Sequence, residues 1–366
     1  MKNIIVILSV LLLLGACAPR PPEVVKVGGN IALSGNLALY GANEHNGIAL
    51  AVKDINDAGG IAGKQFVFIA EDNQGDAKTA VTAMQKLLDT DKIDVAFTAF
   101  THITQAVAPI TQQAGIVLMY HSSIAKMARE NSLVFRDYWD AAEMGKTLGA
   151  YAASQGHTKL AYIGEISDVC EEFYAAVIDG TGAPEAVVLK QTFNPGEKDF
   201  RTMLLKAKEA SPQALLFCTW RSEDLVMKQL DELQLIAMPT YHAVAPFLPS
   251  AAAANEQFKK NRAVSSWYGF TLNTADPKIQ QFIDKYRAAY NTEPIPDALF
   301  AYDDMIALAK AIETCQSTEA ACIVNALREQ PFDGVSGQLR FDADRVSQRA
   351  MLLIRHEDDG WREIKQ

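Results

Sequence analysis

Apolar positions change period again and again along this chain, and each change marks a strand or a helix. Residues 24–33 read as a strand, and 43–58 follow as a helix with Ile48, Val52 and Ile55 on one face. A short β-rich run covers 65–71, and Ala77, Ala80, Val81, Met84, Leu87 and Leu88 then form an i, i+3, i+4 stripe. A strand over 93–98, a helix over 102–114 and a strand over 116–120 close the first series. After a break at 136–140 the alternation resumes with a helix over 141–154 and a strand over 159–164. Strands over 187–192 and 214–219 bracket a helix marked by Phe200, Met203, Leu204 and Ala207. A helix over 223–233 and strands over 240–244 and 263–270 come next, with the alanines at 251–254 as a helix start between them. Helices over 277–290 and 297–314 and β-like stretches at 338–341 and 350–355 complete the chain. Repeated strand–helix order predicts an α/β fold of doubly wound parallel sheets with helices on both faces. Two series with a break predict two lobes, and the late helices return the chain to the first. Such sheets take ligands beyond the carboxyl ends of their strands, where helix N-termini point.

The first residues read as an address. Lys2 gives a basic start and residues 4–14 are apolar except Ser9, a signal-peptide length too short to span a bilayer. Leu14-Gly15-Ala16-Cys17 resembles a bacterial lipobox, in which the Cys17 thiol carries the lipid. Residues 1–16 are therefore expected to be removed, with 17–23, rich in proline, as a tether. The expectation is export, with the body held at a membrane by lipid alone and facing the periplasm or cell exterior. Ala18 rather than aspartate favours the outer membrane where a cell has one. Four cysteines remain on a side of the membrane that permits disulfides. Cys315 and Cys322 lie close together in a polar stretch and are expected to pair, while Cys218, in an apolar run, reads as a buried thiol.

Composition narrows the function classes. A chain of 366 residues that is 49% hydrophobic and 21% charged is globular, not disordered. A formal charge of −10 argues against a nucleic-acid partner. Enzyme motifs fail one by one. Gly334-Val335-Ser336-Gly337-Gln338 lacks the last glycine of a nucleophile elbow, and 59–65 lacks P-loop spacing. No metal spacing of histidines or cysteines occurs, and Asp303-Asp304 read as helix-surface acids. A binder without cofactor, metal or catalytic residues is expected.

Specific motifs sharpen this. Ile31-Ala32-Leu33-Ser34-Gly35-Asn36 with Tyr40-Gly41, and above all Ile55-Asn56-Asp57-Ala58-Gly59-Gly60-Ile61-Ala62-Gly63-Lys64, resemble the leucine/isoleucine/valine-binding protein family. Phe135-Arg136, Gly196-Glu197-Lys198-Asp199-Phe200, Ala301-Tyr302-Asp303 and Phe332-Asp333-Gly334 follow in the family's order. The resemblance implies a type I periplasmic-binding-protein fold, two lobes joined by three crossings. The lobes would be 24–137 with 270–337 and 138–269 with 338–366. It also implies an ABC importer whose permease receives the ligand and whose ATPase is a separate chain. The alternative is a sensory module of the same fold that transports nothing.

By the same resemblance, ligand contacts fall at strand tips. Tyr40 supplies an aromatic face, and Thr101, Ser122 and Ser123 offer hydroxyls and amides to a carboxylate. Ile124 stands where a threonine is usual. The acid expected after the strand at 240–244 to meet an α-ammonium is missing, since Ala243, Val244, Ala245 and Pro246 hold no carboxylate. Asp140, Glu165, Asp168 and Glu223 are the candidate substitutes, unless the ligand carries no such cation. Trp139, Trp220 and Arg221 suit a planar or aromatic carboxylate or an amide as the rival to an amino acid.

Overall fold

The computed structural model describes residues 24–219, 222–243, 249–267, 274–349 and 351–364. Cys17, Trp220, Arg221 and the stretch 244–246 lie outside the described residues.

Two sheets organise the chain. The first contains β1 (Val24–Ile31), β2 (Gln65–Asp72), β3 (Val95–Ala99), β4 (Val117–His121) and β5 (Val134–Arg136) in the order β2-β1-β3-β4-β5. All four pairings are parallel. The second contains β6 (Leu160–Glu165), β7 (Val187–Phe193), β8 (Ala214–Cys218), β9 (Thr240–His242) and β10 (Val264–Trp267). Past the hairpin of β11 (Phe332–Gly334) and β12 (Gly337–Leu339), β13 (Leu352–Glu357) and β14 (Gly360–Glu363) extend it to β14-β13-β10-β9-β8-β6-β7. Its parallel part ends at β10, where β13 adds antiparallel.

Burial explains why the strands are nearly continuous apolar runs. β3, β4 and β8 are buried at every residue, because helices cover both faces of each sheet. On the first sheet the Ala38–Asp57 helix lays Ile48, Val52 and Ile55 against Met305, Leu308 and Ile312 of the Pro296–Cys315 helix, over Val27 and Phe97. The close crossing needs Gly47, where a Cβ would come within 2.1 Å of the Ala298 carbonyl. On the second sheet Met144, Leu148, Phe173 and Val177 join Leu160, Leu216 and Phe217 in one core.

The sequence pattern finds most elements to within a few residues and misses several, three of which matter here. The Asp168–Thr181 helix buries only Cys170, Phe173 and Val177, a stripe too narrow for periodicity to catch. The strand β5, three residues long, ends where the break at 136–140 begins. The Ala320–Glu329 helix starts at a Glu319 cap inside the polar stretch between the two cysteines' elements.

Two disulfides are present. Cys315 and Cys322 pair as expected, with Cα atoms 5.8 Å apart. Cys218 is not a free thiol: it pairs with Cys170, Cα to Cα 5.7 Å. The undetected helix carries Cys170 to the end of β8, a juxtaposition invisible without that helix. Asp303 and Asp304 are also not surface acids, being 0% and 2% exposed. Asp303 accepts from the backbone N–H of Val335 and Ser336 at 2.9 and 2.8 Å and so ties the Pro296–Cys315 helix to the β11–β12 turn.

Candidate functional site

A cavity of about 540 Å³ opens between the strand tips of the two sheets. From the first sheet side come Leu37, Tyr40 and Glu44 after β1, Ala99 to His102 after β3, and His121 to Ser123 after β4. Tyr138 and Trp139 follow β5. From the second come Glu165, Ser167 and Val169 after β6, Pro195 and Gly196 after β7, and Ser222 after β8. This is the place a doubly wound sheet reserves for ligands.

The Thr101–Ala114 helix begins at the cavity, and its first-turn amides have no partner within the helix. Phe100, just ahead of it, holds φ +69° and ψ 138°, a rare conformation for a residue with a Cβ. The Phe100 N–H donates to the His121 carbonyl at 2.8 Å, and its own carbonyl accepts from Thr104 N–H at 2.9 Å. This links the tips of β3 and β4 and sets the helix start. Thr101 Oγ1 and Ser122 Oγ share a hydrogen bond of 2.7 Å, and Ile124 N–H donates to Ser122 Oγ at 3.2 Å. Two hydroxyls and a helix N-terminus together suit a carboxylate.

Arg136 positions this corner. Its guanidinium is buried, donates from Nε to the Ser122 carbonyl at 2.7 Å, and reaches the Trp139 carbonyl. Trp139 is 6% exposed and sits 5.7 Å from the Tyr138 ring and 6.2 Å from Trp267. Tyr40 meets Phe100 edge-on at 5.7 Å.

Of the residues singled out in the sequence, Tyr40, Thr101, Ser122, Ser123 and Trp139 therefore line one cavity. Asp140 does not line it. Its side chain accepts from Glu143 N–H at 3.0 Å as a helix N-cap and faces Arg136 Nη1 at 3.2 Å. Of the other candidate substitutes, Glu165 lines the cavity, and Asp168 and Glu223 do not.

Behind the first-sheet wall runs a buried polar network that sequence reading missed. His121 sits between Glu44 Oε1, 3.2 Å from Nδ1, and Asp304 Oδ2, 3.1 Å from Nε2. Burial opposes its charge, but the hydrogen bonds of Asp304 and Glu44 outweigh that and raise the imidazole to about 10. The Tyr138 ring stacks on His121 at 5.2 Å, and its hydroxyl donates to Asp297 Oδ1 at 2.6 Å. Burial and then the Glu44 charge push Asp297 up to about 7. Burial and then the Asp137 charge push Asp304 up to about 8. Asp137 itself is held below its usual range, because Arg349 overcomes the cost of its burial. Arg349 Nε donates to Asp137 Oδ1 at 2.8 Å, and Nη1 donates to Ser336 Oγ at 2.6 Å. One sign was available in the sequence. Glu44 lies one helical turn after Tyr40, so a ligand-facing Tyr40 puts Glu44 on the same face.

No helix among the described residues is long and apolar enough to cross a membrane. No group of three or more acids, histidines or cysteines among them could hold a metal ion.

Relatives agree with this geometry. A leucine-, isoleucine-, valine-, threonine- and alanine-binding protein of Pseudomonas aeruginosa is 25% identical over 329 residues, covering 87% of this chain and 86% of that one. The substrate-binding protein LivJ of Streptococcus pneumoniae, solved with isoleucine, superposes with a TM-score of 0.79 at 23% identity, over 94% of this chain and 100% of that one. A solute-binding protein of Rhodopseudomonas palustris, solved with 3,4-dihydroxybenzoic acid, superposes with a TM-score of 0.77 at 19% identity, over 93% of this chain and 96% of that one. The sequence profile described as periplasmic binding protein matches residues 24–360. With two parallel sheets meeting at a strand-tip cavity, the chain belongs to the periplasmic binding protein family, as a type I, leucine/isoleucine/valine-binding-like member.

Proposed function

We propose that this protein captures a small carboxylate, an amino acid or a related acid, between two lobes and hands it to the permease of an ABC importer. The observation that carries the reading is the corner where the Thr101 helix start meets Ser122 on the wall of the strand-tip cavity. It offers a carboxylate both hydroxyls and first-turn amides in a site from which closure would drive water. The lobes would be 24–137 with 270–337 and 138–269 with 338–366, moving about the three crossings as a hinge. Cys17 would carry the lipid that holds the body at the membrane. No turnover is expected: among the described residues of the cavity wall neither His102 nor His121 has a hydroxyl as its hydrogen-bond partner.

An aromatic acid is the second reading. Tyr40, Phe100, Tyr138 and Trp139 give the wall a run of rings, and the Rhodopseudomonas relative was solved with such an acid. A thermal-shift screen of amino acids, aromatic acids, amides and purines tests both, because a tight ligand raises the melting temperature by mass action. If no carboxylate raises the melting temperature, the reading of the cavity falls. A protein that binds its ligand without a partnering permease would favour the sensory alternative. Cys17→Ser should release the protein from membranes, as fractionation would show.

A further inference from the structure

We infer that Glu44 is the receptor for a cationic nitrogen on the ligand, so that the cargo is a small zwitterion whose ammonium is met by the first-sheet wall. The inference rests on the reading of the cavity as a solute site and names the ligand's second charged group.

Glu44 lines the cavity, yet its residue is 1% exposed. One oxygen, Oε1, faces His121 Nδ1 at 3.2 Å. The other, Oε2, is buried with no hydrogen-bond partner among the described residues. A buried carboxylate oxygen left without a donor is costly, and a ligand N–H would relieve that cost. The other acids near it are turned elsewhere. Asp297 takes the Tyr138 hydroxyl and Asp137 takes Arg349, while Asp304, whose Oδ1 is also without a partner among the described residues, does not line the cavity as Glu44 does. Glu165, on the opposite wall, is already engaged.

The charges point the same way. Glu44, Asp297 and Asp304 gather around one imidazole, His121. Burial and neighbouring negative charge hold Asp297 and Asp304 above the ordinary carboxylate range. Ser122, on the proposed carboxylate corner, is the next residue after His121, which bonds Glu44. Tyr40 lies one turn before Glu44, and Tyr138 stacks on His121, so aromatic faces flank the incoming cation. The acid missing after β9 is thereby replaced from the other side of the cavity.

The test measures calorimetric affinities for matched pairs: leucine with 4-methylpentanoate, phenylalanine with 3-phenylpropanoate, and each N-acetyl amino acid. Benzoate is included as an acid with no nitrogen. The full chain without its leader is used, as wild type, Glu44→Gln and Glu44→Asp. Wild type should prefer the free amino acid by about a hundredfold, Glu44→Gln should shrink that preference to within about fivefold, and Glu44→Asp should keep part of it. The within-variant ratio is the readout, so a general loss of stability in Glu44→Gln does not imitate the effect. A wild type that binds nitrogen-free acids as tightly as amino acids overturns the inference and leaves the proposed function standing. So does a Glu44→Gln protein whose preference is unchanged. A wild type that binds none of these carboxylates overturns the proposed function itself, and the inference with it.

Discussion

The two walls of the cavity are built from opposite materials. The first-sheet wall carries Glu44, His121, Thr101 and Ser122, backed by Tyr138, Asp297, Asp304 and the Asp137–Arg349 pair. The second-sheet wall carries Ser167, Val169, Pro195, Gly196 and Ser222, with Glu165 its one acid among the described residues. Among the described residues the hydrogen-bonded polar network thus lies on one side, where His121 and Ser122 each make two side-chain hydrogen bonds. Apart from Glu165, the described lining of the other side is small or neutral. Preorganised polar groups lose little on binding, whereas a cover that moves must be tolerant. If the cavity closes on a ligand as proposed, the difference predicts an order of events: docking on the hydrogen-bonded wall first, then cover by the other.

The sharpest way to break this picture is to cut its backing. Asp137 is fully buried and Arg349 nearly so. Replacing Arg349 with methionine leaves a buried carboxylate without its cation and should lower unfolding free energy by about 3–5 kcal/mol. Chemical denaturation measures it. A loss below about 1 kcal/mol would mean that the pair is not the frame of the charged wall.

The next effect compares the two disulfides, one behind each wall. Cys170–Cys218 spans 48 residues in the second-sheet core, and Cys315–Cys322 spans 7 beside the first. Loop entropy puts their contributions at about 4 and about 2 kcal/mol. Paired alanine replacements should follow that order. A reversed order would show that strain or residual structure in the unfolded chain dominates.

Protonation separates the walls again. His121 is raised to about 10, so its favourable charge is fully present below its unfolded value near 6.5 and is lost as pH climbs toward 10. Asp304 is raised to about 8 by burial and neighbouring charge, so the stability of its protonated form is fully present below its unfolded value near 3.8 and is lost by about pH 8. The two act in the same direction. The melting temperature should fall between pH 7 and 10, and His121→Gln should flatten the fall. A wild-type curve that is level across this window would remove the buried charge from the account.

How much of this could be read from residues alone depends on distance along the chain. The lipobox-like start, the strand–helix alternation and the Ile55–Lys64 turn are local patterns, and they were enough to name the fold. Tyr40, Thr101 and Ser122, proposed from the family resemblance, line the strand-tip cavity. The charged network was not, because its partners are far apart: Glu44 and Asp304 both reach His121, across 77 and 183 positions. Asp304 in particular looks like an ordinary solvated acid on a helix until the Pro296–Cys315 helix is found to be buried along most of its length. Cys218 misled for the same reason, since its partner rides on a helix whose apolar stripe is three residues.

The smallest effect tests the comparison most directly. Thr101→Val removes a hydroxyl that bonds Ser122 at the helix start but keeps the side-chain volume. If a carboxylate sits there, affinity should fall about tenfold, the worth of one hydrogen bond to a charged group. Ser222→Ala makes a similar deletion on the opposite wall, at a residue that is 6% exposed and lines the same cavity. If that wall mainly covers the ligand, affinity should change by less than about threefold, and the change should lie in the dissociation rate. Stopped-flow binding with the tightest ligand separates the two rates. Equal losses from both variants would mean that recognition is shared across the cavity. In that case the charged wall would be no more than a rigid support, and closure would make the decisive contacts.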